Sequence, residues 1–213
     1  PLHAASTFAE AARRHLEAGD PEAVGAAIEC TKEIADAISR TAQIIRRLRN
    51  FTRPQSEQKE TLDVNAVVSE AVEIMAFAMR RADVTLQLEL ATELPPIRGD
   101  RIQLQQICVN LIQNACDACA DLPARQRRLH VRTWARNHEV VVTFRDSGRG
   151  IDAANADRLF DAFFTTKPAG MGMGLSLSRS IAESQGAKLT ARPNDPQPGA
   201  AFELALPVRE RSP

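Results

Sequence analysis

The sequence has no tyrosine, one tryptophan and eight phenylalanines, and its 27 basic and 27 acidic residues leave it without net charge. A chain with no basic excess and little aromatic surface for base stacking is not expected to bind nucleic acid. Its apolar runs are only a few residues long, so no segment is expected to span a membrane, and no signal peptide opens it. Its four cysteines lack the spacing of a disulfide framework, which favours reduced thiols in a cytoplasmic protein.

The first segment, residues 1–53, is predicted to be a helical hairpin. Gly19-Asp20-Pro21 interrupts two stretches of helical composition, and Asp20 is the expected N-cap of the second helix. A heptad pattern along that helix places Val24, Thr31, Ile38 and Ile45 at one position and Ala27, Ile34, Thr41 and Leu48 at the other. Two helices cannot bury both stripes, which favours a homodimeric four-helix bundle over packing of the hairpin on its own second domain.

The rest of the chain is predicted to be a polar linker, residues 54–61, and a second domain, residues 62–213. Within this domain, strand patterns alternate with helical ones. The strand patterns are Val84–Leu90, Leu129–Ala135, Val140–Arg145, Leu189–Arg192 and Ala201–Leu206; the helical ones are Val64–Met79, Asp100–Ala120, Ala153–Phe160 and Gly174–Gln185. Strands joined by hairpins, with helices elsewhere, predict an α+β sandwich with the helices on one face of the sheet.

A polar stripe follows one face of the helix predicted over Asp100–Ala120. It consists of Gln103, Gln106, Asn110, Asn114 and Asp117. Such a stripe is often a solvated face. Asparagine is a poor helix former, however, and its side-chain carbonyl is a hard, neutral oxygen suited to Mg²⁺ that substrate phosphates also hold.

Two glycine-containing segments are the other candidates. Asp146 ends a predicted strand, and Gly148 and Gly150 follow it, so this carboxylate could accept a hydrogen bond from an exocyclic amine such as that of adenine; the alternative is an ordinary turn. Gly170, Gly172 and Gly174 lead directly into a helix, where backbone N–H groups form an anion site. Lys167 adds a positive charge there, and a flexible surface loop is the alternative.

The order of these segments resembles that of the sensor histidine kinases of two-component signalling. Gln106–Ala118 resembles the N box of that family, Asp146–Gly150 the G1 box, Leu159–Pro168 the F box and Gly170–Leu175 the G2 box. Leu48–Pro54 is similar to the end of the second helix of the dimerisation and phosphotransfer domain. The resemblance covers nearly the whole chain.

The resemblance implies an ATP- and Mg²⁺-binding kinase core with the mixed sheet, backed by helices, of Hsp90-type chaperones and gyrase-type topoisomerases. Asn110 and Asn114 are expected to ligate the Mg²⁺ ion that bridges the ATP phosphates. Asp146 is expected to accept a hydrogen bond from the adenine amine. The remaining expected ATP-binding residues are Gly148, Gly150 and Ile151 around adenine, and Asp117, Lys167, Gly170, Met171, Gly172, Met173, Gly174 and Leu175 around the phosphates.

The sequence departs from the family pattern in three places. The phosphoacceptor box of the family reads His-Glu-x-x-x-Pro-Leu, and this chain starts at Pro1-Leu2, so the nucleophilic histidine and its glutamate are expected upstream of Pro1. Many relatives carry lysine where Asp117 stands, and the lost phosphate contact could come from Lys167. Gly199–Phe202 lacks the hydroxyl that often supports a water-mediated adenine contact.

The other histidines and cysteines are not expected to be catalytic. His3 lies seven positions beyond the expected phosphoacceptor, so His3 and His15 are interpreted as polar residues of the bundle. His130 and His138 are expected to be solvated. Cys116 and Cys119 form a Cys-x-x-Cys pair on a helix with no histidine cluster, and are expected to be small core residues.

The predicted function is the catalytic core of a histidine kinase, which transfers the γ-phosphoryl group to a histidine and then to a response-regulator aspartate. The expected partners are a second copy of the chain, a response regulator receiver domain, for which Arg46, Arg47, Arg49 and Arg53 are a candidate docking cluster, and an upstream sensor domain. This chain alone is expected to bind ATP without phosphorylating itself. The alternatives are an ATPase of the same fold that drives conformational change and a non-catalytic docking module.

Overall fold

A computed structural model describes residues 2–18, 23–35, 37, 59–167, 172–194 and 198–208. The chain divides into two compact units, Pro1–Gln55 and Ser56–Pro213. Among the described helices, none combines the length and the apolar character needed to cross a membrane.

The first unit contains two described helices, α1 (Leu2–Ala18) and α2 (residues 23–35). Small alanines form their buried surface, while Arg13 on the exposed side of α1 pairs with Glu10 at 2.7 Å and Glu17 at 2.5 Å. The predicted turn at Gly19-Asp20-Pro21, the later heptad positions 38, 41, 45 and 48, and the linker up to residue 58 lie outside the described residues.

The second unit is an α+β sandwich, as predicted. In chain order it contains β1 (Glu60–Leu62), α3 (Val64–Arg81), β2 (Thr85–Glu89), β3 (Ile97–Gly99), α4 (Arg101–Ala118), β4 (Arg128–Arg136), β5 (Glu139–Asp146), α5 (Gly174–Ser184), β6 (Lys188–Pro193) and β7 (Ala200–Pro207). The main sheet has the order β2-β4-β5-β7-β6. Only the β2–β4 pair is parallel, so the sheet is mixed, and the three helices pack against one face of it.

Every second side chain of the central strands points toward the helices, and these side chains form the core between the sheet and the helices. Leu129 and Val131 of β4 and Phe144 of β5 are buried, and they belong to one apolar cluster with Ile107 and Leu111 of α4. Aspartates begin the helices: Asp63 accepts a hydrogen bond from the Asn65 N–H and Asp100 from the Gln103 N–H. These caps fix where α3 and α4 start, and therefore which face of α4 meets the sheet.

The structure differs from the sequence predictions at several places. Glu60 and Thr61, placed at the end of the linker, form β1 and pair with β3; neither three-residue strand is long enough to show alternation. The helix expected over Ala153–Phe160 is a 3-10 helix over Ala153–Arg158.

The two histidines expected to be solvated have different environments. His138 is exposed in the β4–β5 turn, where Asn137 and His138 have φ of 47° and 62°, as two-residue hairpin turns require. His130 is half-buried, and its Nε2 lies 3.2 Å from Glu89 Oε1. The prediction for His130 was wrong because β4 is flanked on both sides, by β2 and β5, whose side chains cover it.

Candidate functional site

Asp146 ends β5 with a buried carboxylate that is only 3% exposed. Its Oδ1 accepts hydrogen bonds from the N–H groups of Gly148 at 2.8 Å and Ala200 at 3.2 Å. Burial raises the pKa of Asp146, and these two N–H groups and the charge of Lys167 partly oppose that effect. Oδ2 accepts no hydrogen bond from the described residues, so the site presents one carboxylate oxygen to a donor on a ligand.

Two close backbone approaches shape the turn around Asp146. A Cβ on Gly148 would lie 2.6 Å from the Ala118 carbonyl oxygen at the end of α4, and a Cβ on Gly199 would lie 1.9 Å from the Asp146 carbonyl oxygen. Gly199 also has φ of +118°, which side-chain-bearing residues rarely adopt. Gly150 and the half-buried Ile151 continue the turn, and Ile151 packs against the core. The predicted adenine-side residues therefore lie together between β5, β7 and the end of α4.

The predicted polar stripe on α4 places Asn110, Asn114 and Asp117 on one side of the helix. Asn110 Nδ2 donates to Ser178 Oγ of α5 at 2.9 Å, which leaves its Oδ1 as an acceptor. Asn114 Nδ2 is buried and has no hydrogen-bond partner among the described residues. A buried amide N–H group without an acceptor is costly, and a phosphate oxygen in the cleft would supply one.

Lys167 reaches the same stretch of α4 from the other side of the cleft. Its Nζ lies 2.7 Å from Asp117 Oδ2 and 3.2 Å from Asn114 Oδ1. The ammonium group is therefore next to the side chain predicted to hold the metal and phosphates. The Asp117 carboxylate pairs with Lys167 and so holds the ammonium group against this stretch of α4.

The segment that carries Lys167 is held by cation–π contacts. The guanidinium of Arg179 on α5 lies 3.8 Å from the ring centroid of Phe160, and that of Arg158 lies 4.7 Å from that of Phe164. Arg149 adds a hydrogen bond to Thr166 Oγ1 at 3.1 Å. These contacts fix the chain between the Asp146 turn and Lys167.

The second glycine segment is described from Gly172 onward; Gly170 and Met171 lie outside the described residues. Gly172 packs against the backbone of Phe163 and Phe164, and Gly174 begins α5 beside the Asn110 side chain. Met173, the residue before α5, makes no side-chain hydrogen bond to the N–H groups of the first turn of the helix. Leu175, the second residue of α5, packs against the core. The first N–H groups of α5 can therefore donate to an anion.

The side chains in the cleft fit Mg²⁺ that is also held by a triphosphate better than they fit a metal ion bound by protein side chains alone. In the described part of the chain, no group of three or more histidine, cysteine or acidic side chains could hold a metal. Asn110 offers a neutral side-chain oxygen, and that of Asn114 accepts from Lys167 Nζ at 3.2 Å in this structure, so phosphate oxygens are needed to complete an octahedral Mg²⁺ site. Cys116 and Cys119 are buried, and burial raises the pKa of the Cys116 thiol to about 11. They are core residues, as predicted.

Sequence reasoning missed the residues that support these groups from a distance. Ser178 holds Asn110, the Ala200 N–H holds Asp146 Oδ1, and Asn194 Nδ2 donates to the Asp146 carbonyl at 3.2 Å. Ser178 and Asn194 stand in no motif with Asp146 or Asn110, whereas Ala200 falls within the Gly199–Phe202 segment that the resemblance links to adenine. Only the pairing of β5 with β7 and the packing of α4 on α5 bring them together.

Comparison with known proteins gives consistent matches. The family described as histidine kinase-, DNA gyrase B-, and HSP90-like ATPase matches residues 99–210. Sensor histidine kinase TmoS of Ectopseudomonas mendocina is 33% identical over 98% of this chain and 21% of TmoS. Sensor protein FixL of Bradyrhizobium diazoefficiens is 33% identical over 100% of this chain and 42% of FixL. This chain therefore spans less than half the length of either relative.

Solved structures show the same fold. The histidine kinase ThkA, determined in complex with the response regulator protein TrrA, superimposes with a TM-score of 0.75 at 22% identity, over 98% of this chain and 58% of that chain. The mixed sheet, the α4 asparagines and the Asp146 turn agree with this assignment. The chain belongs to the histidine kinase-, DNA gyrase B- and HSP90-like ATPase family and contains the ATP-binding domain of a sensor histidine kinase.

Proposed function

We propose that this chain binds ATP with Mg²⁺ in the cleft between α4, the Asp146 turn and Lys167, and passes the γ-phosphoryl group to a histidine. The observation that carries the proposal is that both groups lie against α4. Lys167 Nζ donates to Asn114 Oδ1 at 3.2 Å, and the N–H of Arg149, in the turn after Asp146, donates to the Ala118 carbonyl oxygen at the end of α4 at 3.3 Å. An acceptor for a base amine and a cation for phosphates therefore lie along the same stretch of this helix.

Each end of the cleft has a distinct task in this proposal. Asp146 Oδ2 accepts a hydrogen bond from the adenine amine, and Asn114 Nδ2, Lys167 and the first N–H groups of α5 donate to phosphate oxygens. Bound Mg²⁺ supplies neutralisation of phosphate charge. With the nucleotide fixed, an imidazole nitrogen forms the N–P bond, the bond from the γ-phosphorus to the ADP oxygen breaks, and the imidazole proton passes to a base. Positioning accounts for most of the rate.

The site is tested with Asn114→Ala in the chain extended by His-Glu-x-x-x ahead of Pro1, which completes the phosphoacceptor box. With γ-labelled ATP and Mg²⁺, the extended chain should acquire acid-labile label, as a phosphorus–nitrogen bond requires. Asn114→Ala should lower that labelling and Mg²⁺-dependent ATP affinity by about tenfold to a hundredfold, because a ligand to the metal–phosphate group is lost.

Gln105→Ala is the matched control, since Gln105 lies on α4 but donates to Glu70 rather than facing the cleft. It should leave both quantities unchanged. Unchanged labelling in Asn114→Ala would remove this residue from the site. ATP hydrolysis without labelled protein would instead favour the ATPase that drives conformational change, and no nucleotide binding at all would favour the docking module.

The proposal includes a homodimer formed through the helical hairpin. In the described part of the first unit, Leu16, Val24 and Ile28 are 60%, 46% and 52% exposed, and Val24 and Ile28 lie one turn apart on the same face of α2. Val24 is one of the predicted heptad positions. A second copy of the same hairpin would cover these side chains and complete a four-helix bundle.

Sedimentation equilibrium should give twice the chain mass of 23.3 kDa for the unmodified chain and the single mass for Val24→Glu/Ile28→Glu. Ile74→Glu is the control, because Ile74 is 57% exposed on α3 in the second unit. It should remain a dimer. A monomer in the unmodified chain would overturn the bundle.

The proposed partners follow from the proposed reaction. A phosphohistidine passes its phosphoryl group to an aspartate of a response regulator receiver domain, and the relatives TmoS and FixL are named as sensors. The candidate docking cluster, Arg46, Arg47, Arg49 and Arg53, lies outside the described residues. The proposed location is cytoplasmic, where ATP and reduced thiols such as the four free cysteines are found.

A further inference from the structure

A basic groove lies on the face of the main sheet that the helices do not cover. His130 of β4 pairs with Arg145 of β5, and Arg128 precedes His130 by two residues, so these three side chains share one face. Leu129 and Asp146, which pair with each other, point to the opposite face, toward the helices. The groove and the proposed nucleotide site are therefore on opposite sides of the same strand end.

The groove has the size of a small-molecule site, and its lining includes three arginines. Its volume is about 630 Å³, and its lining includes Arg125, Arg128, His130, Arg145 and Asn194. The only acidic residue in the lining is Asp146, whose side chain points toward the helices on the other face of the sheet and whose Oδ1 accepts from two backbone N–H groups. Pockets of a few hundred cubic ångströms commonly bind small ligands rather than extended peptides.

The arginines of the groove differ from the others on this face in lacking partners. Arg132 lies 3.8 Å from Glu89 and above Trp134, and Arg136 lies 2.9 Å from Glu203. Among the described residues, no acidic side chain pairs with Arg125, Arg128 or Arg145. The Nε of Arg145 is buried and has no hydrogen-bond partner there. A buried guanidinium N–H group without an acceptor is costly, so an anion in the groove would stabilise it.

We propose that this groove binds a small ligand that carries phosphate groups. Guanidinium groups bind phosphate oxygens in pairs of parallel hydrogen bonds, and three of them around one cavity match a diphosphate-sized anion. The ligand would also contact Asn194, whose Nδ2 donates to the Asp146 carbonyl oxygen. Occupation of the groove therefore acts on the residue that carries the proposed adenine contact, which makes the ligand a candidate regulator of nucleotide binding.

Titration of the ¹⁵N-labelled chain with sodium pyrophosphate tests the groove separately from the nucleotide site. Amide signals of Arg128, His130 and Arg145 report on the groove, and those of Asn114 and Gly174 on the nucleotide cleft. We expect saturable shifts at the groove amides. Arg145→Gln should raise the dissociation constant measured there about tenfold, which corresponds to about 1.4 kcal/mol, and should leave the cleft signals unaffected.

Arg132→Gln is the matched control, because Arg132 lies on the same face but is paired with Glu89. Arg132→Gln should change the dissociation constant of pyrophosphate at the groove by less than about twofold. If Arg145→Gln does not fold, Arg128→Gln is used in its place, because Arg128 is at an exposed position. Shifts confined to the cleft amides, equal weakening by Arg145→Gln and Arg132→Gln, or shifts produced by hexaglutamate but not by pyrophosphate would each overturn the proposal.

Discussion

Replacement of Asp146 by asparagine is expected to weaken ATP binding by about tenfold to a hundredfold. The amide oxygen can still accept the N–H groups of Gly148 and Ala200, but an NH₂ group then stands where Oδ2 faces the ligand. A donor would meet the adenine amine, which is also a donor. The loss of one charge-assisted hydrogen bond costs about 1.5–3 kcal/mol, which gives this range of affinity. Calorimetry with a non-hydrolysable ATP analogue measures it.

The chemistry of the base separates this effect from misfolding. Hypoxanthine carries a carbonyl oxygen in place of the amine, so the inosine nucleotide should bind Asp146→Asn at least as well as the adenine nucleotide does. Asp121→Asn, at an exposed position after α4, should retain the preference for adenine. The role of Asp146 as the adenine acceptor would be contradicted if Asp146→Asn kept both its ATP affinity and its preference for adenine.

The raised pKa of Asp146 gives the same prediction a pH dependence. Because burial raises the pKa of this carboxyl in the folded chain, the folded state binds its proton more readily than the unfolded state. The contribution of Asp146 to the free energy of unfolding therefore increases as the pH falls through the folded pKa, while its ability to accept from adenine decreases. Asp146→Asn should lack both changes.

The sequence was sufficient to predict the main elements because their patterns are local. Alternation marks β4, where Leu129 and Val131 face the core, and the spacing of Leu104, Cys108 and Leu111 marks α4. The three-residue strands β1 and β3 carry no such signal. Their pairing depends on a contact between distant segments, which local reasoning does not detect.

The site was predictable as a set of motifs but not as a set of contacts. The order of Asn114, Asp146 and Lys167 along the chain pointed to a nucleotide cleft. The supports of these groups come from residues far away in sequence: Ser178 is 68 positions from Asn110, and Ala200 is 54 positions from Asp146. The buried, unpaired Nε of Arg145 likewise appears only once β4 and β5 are paired.

The second large effect is expected from Gly199→Ala, which should lower the free energy of unfolding by about 2–5 kcal/mol. A Cβ at this position would lie 1.9 Å from the Asp146 carbonyl oxygen, so the backbone must move, and such overpacking typically costs 1–3 kcal/mol. The φ of +118° adds about 1–2 kcal/mol for any residue with a Cβ. In thermal denaturation this corresponds to a fall in Tm of about 4–20 °C.

Gly186→Ala separates the two causes. Gly186 also has a positive φ, +74°, but a Cβ there would lie 3.9 Å from Pro207 Cγ, which is an ordinary van der Waals contact. It should show only the conformational cost, about 1–2 kcal/mol. Gly199→Ala should also displace the N–H of Ala200, which donates to Asp146, so the folded fraction should bind ATP more weakly, whereas Gly186→Ala should bind it normally. Equal losses of stability in the two variants, with ATP affinity intact in both, would show that the approach of Gly199 to Asp146 does not support the nucleotide site.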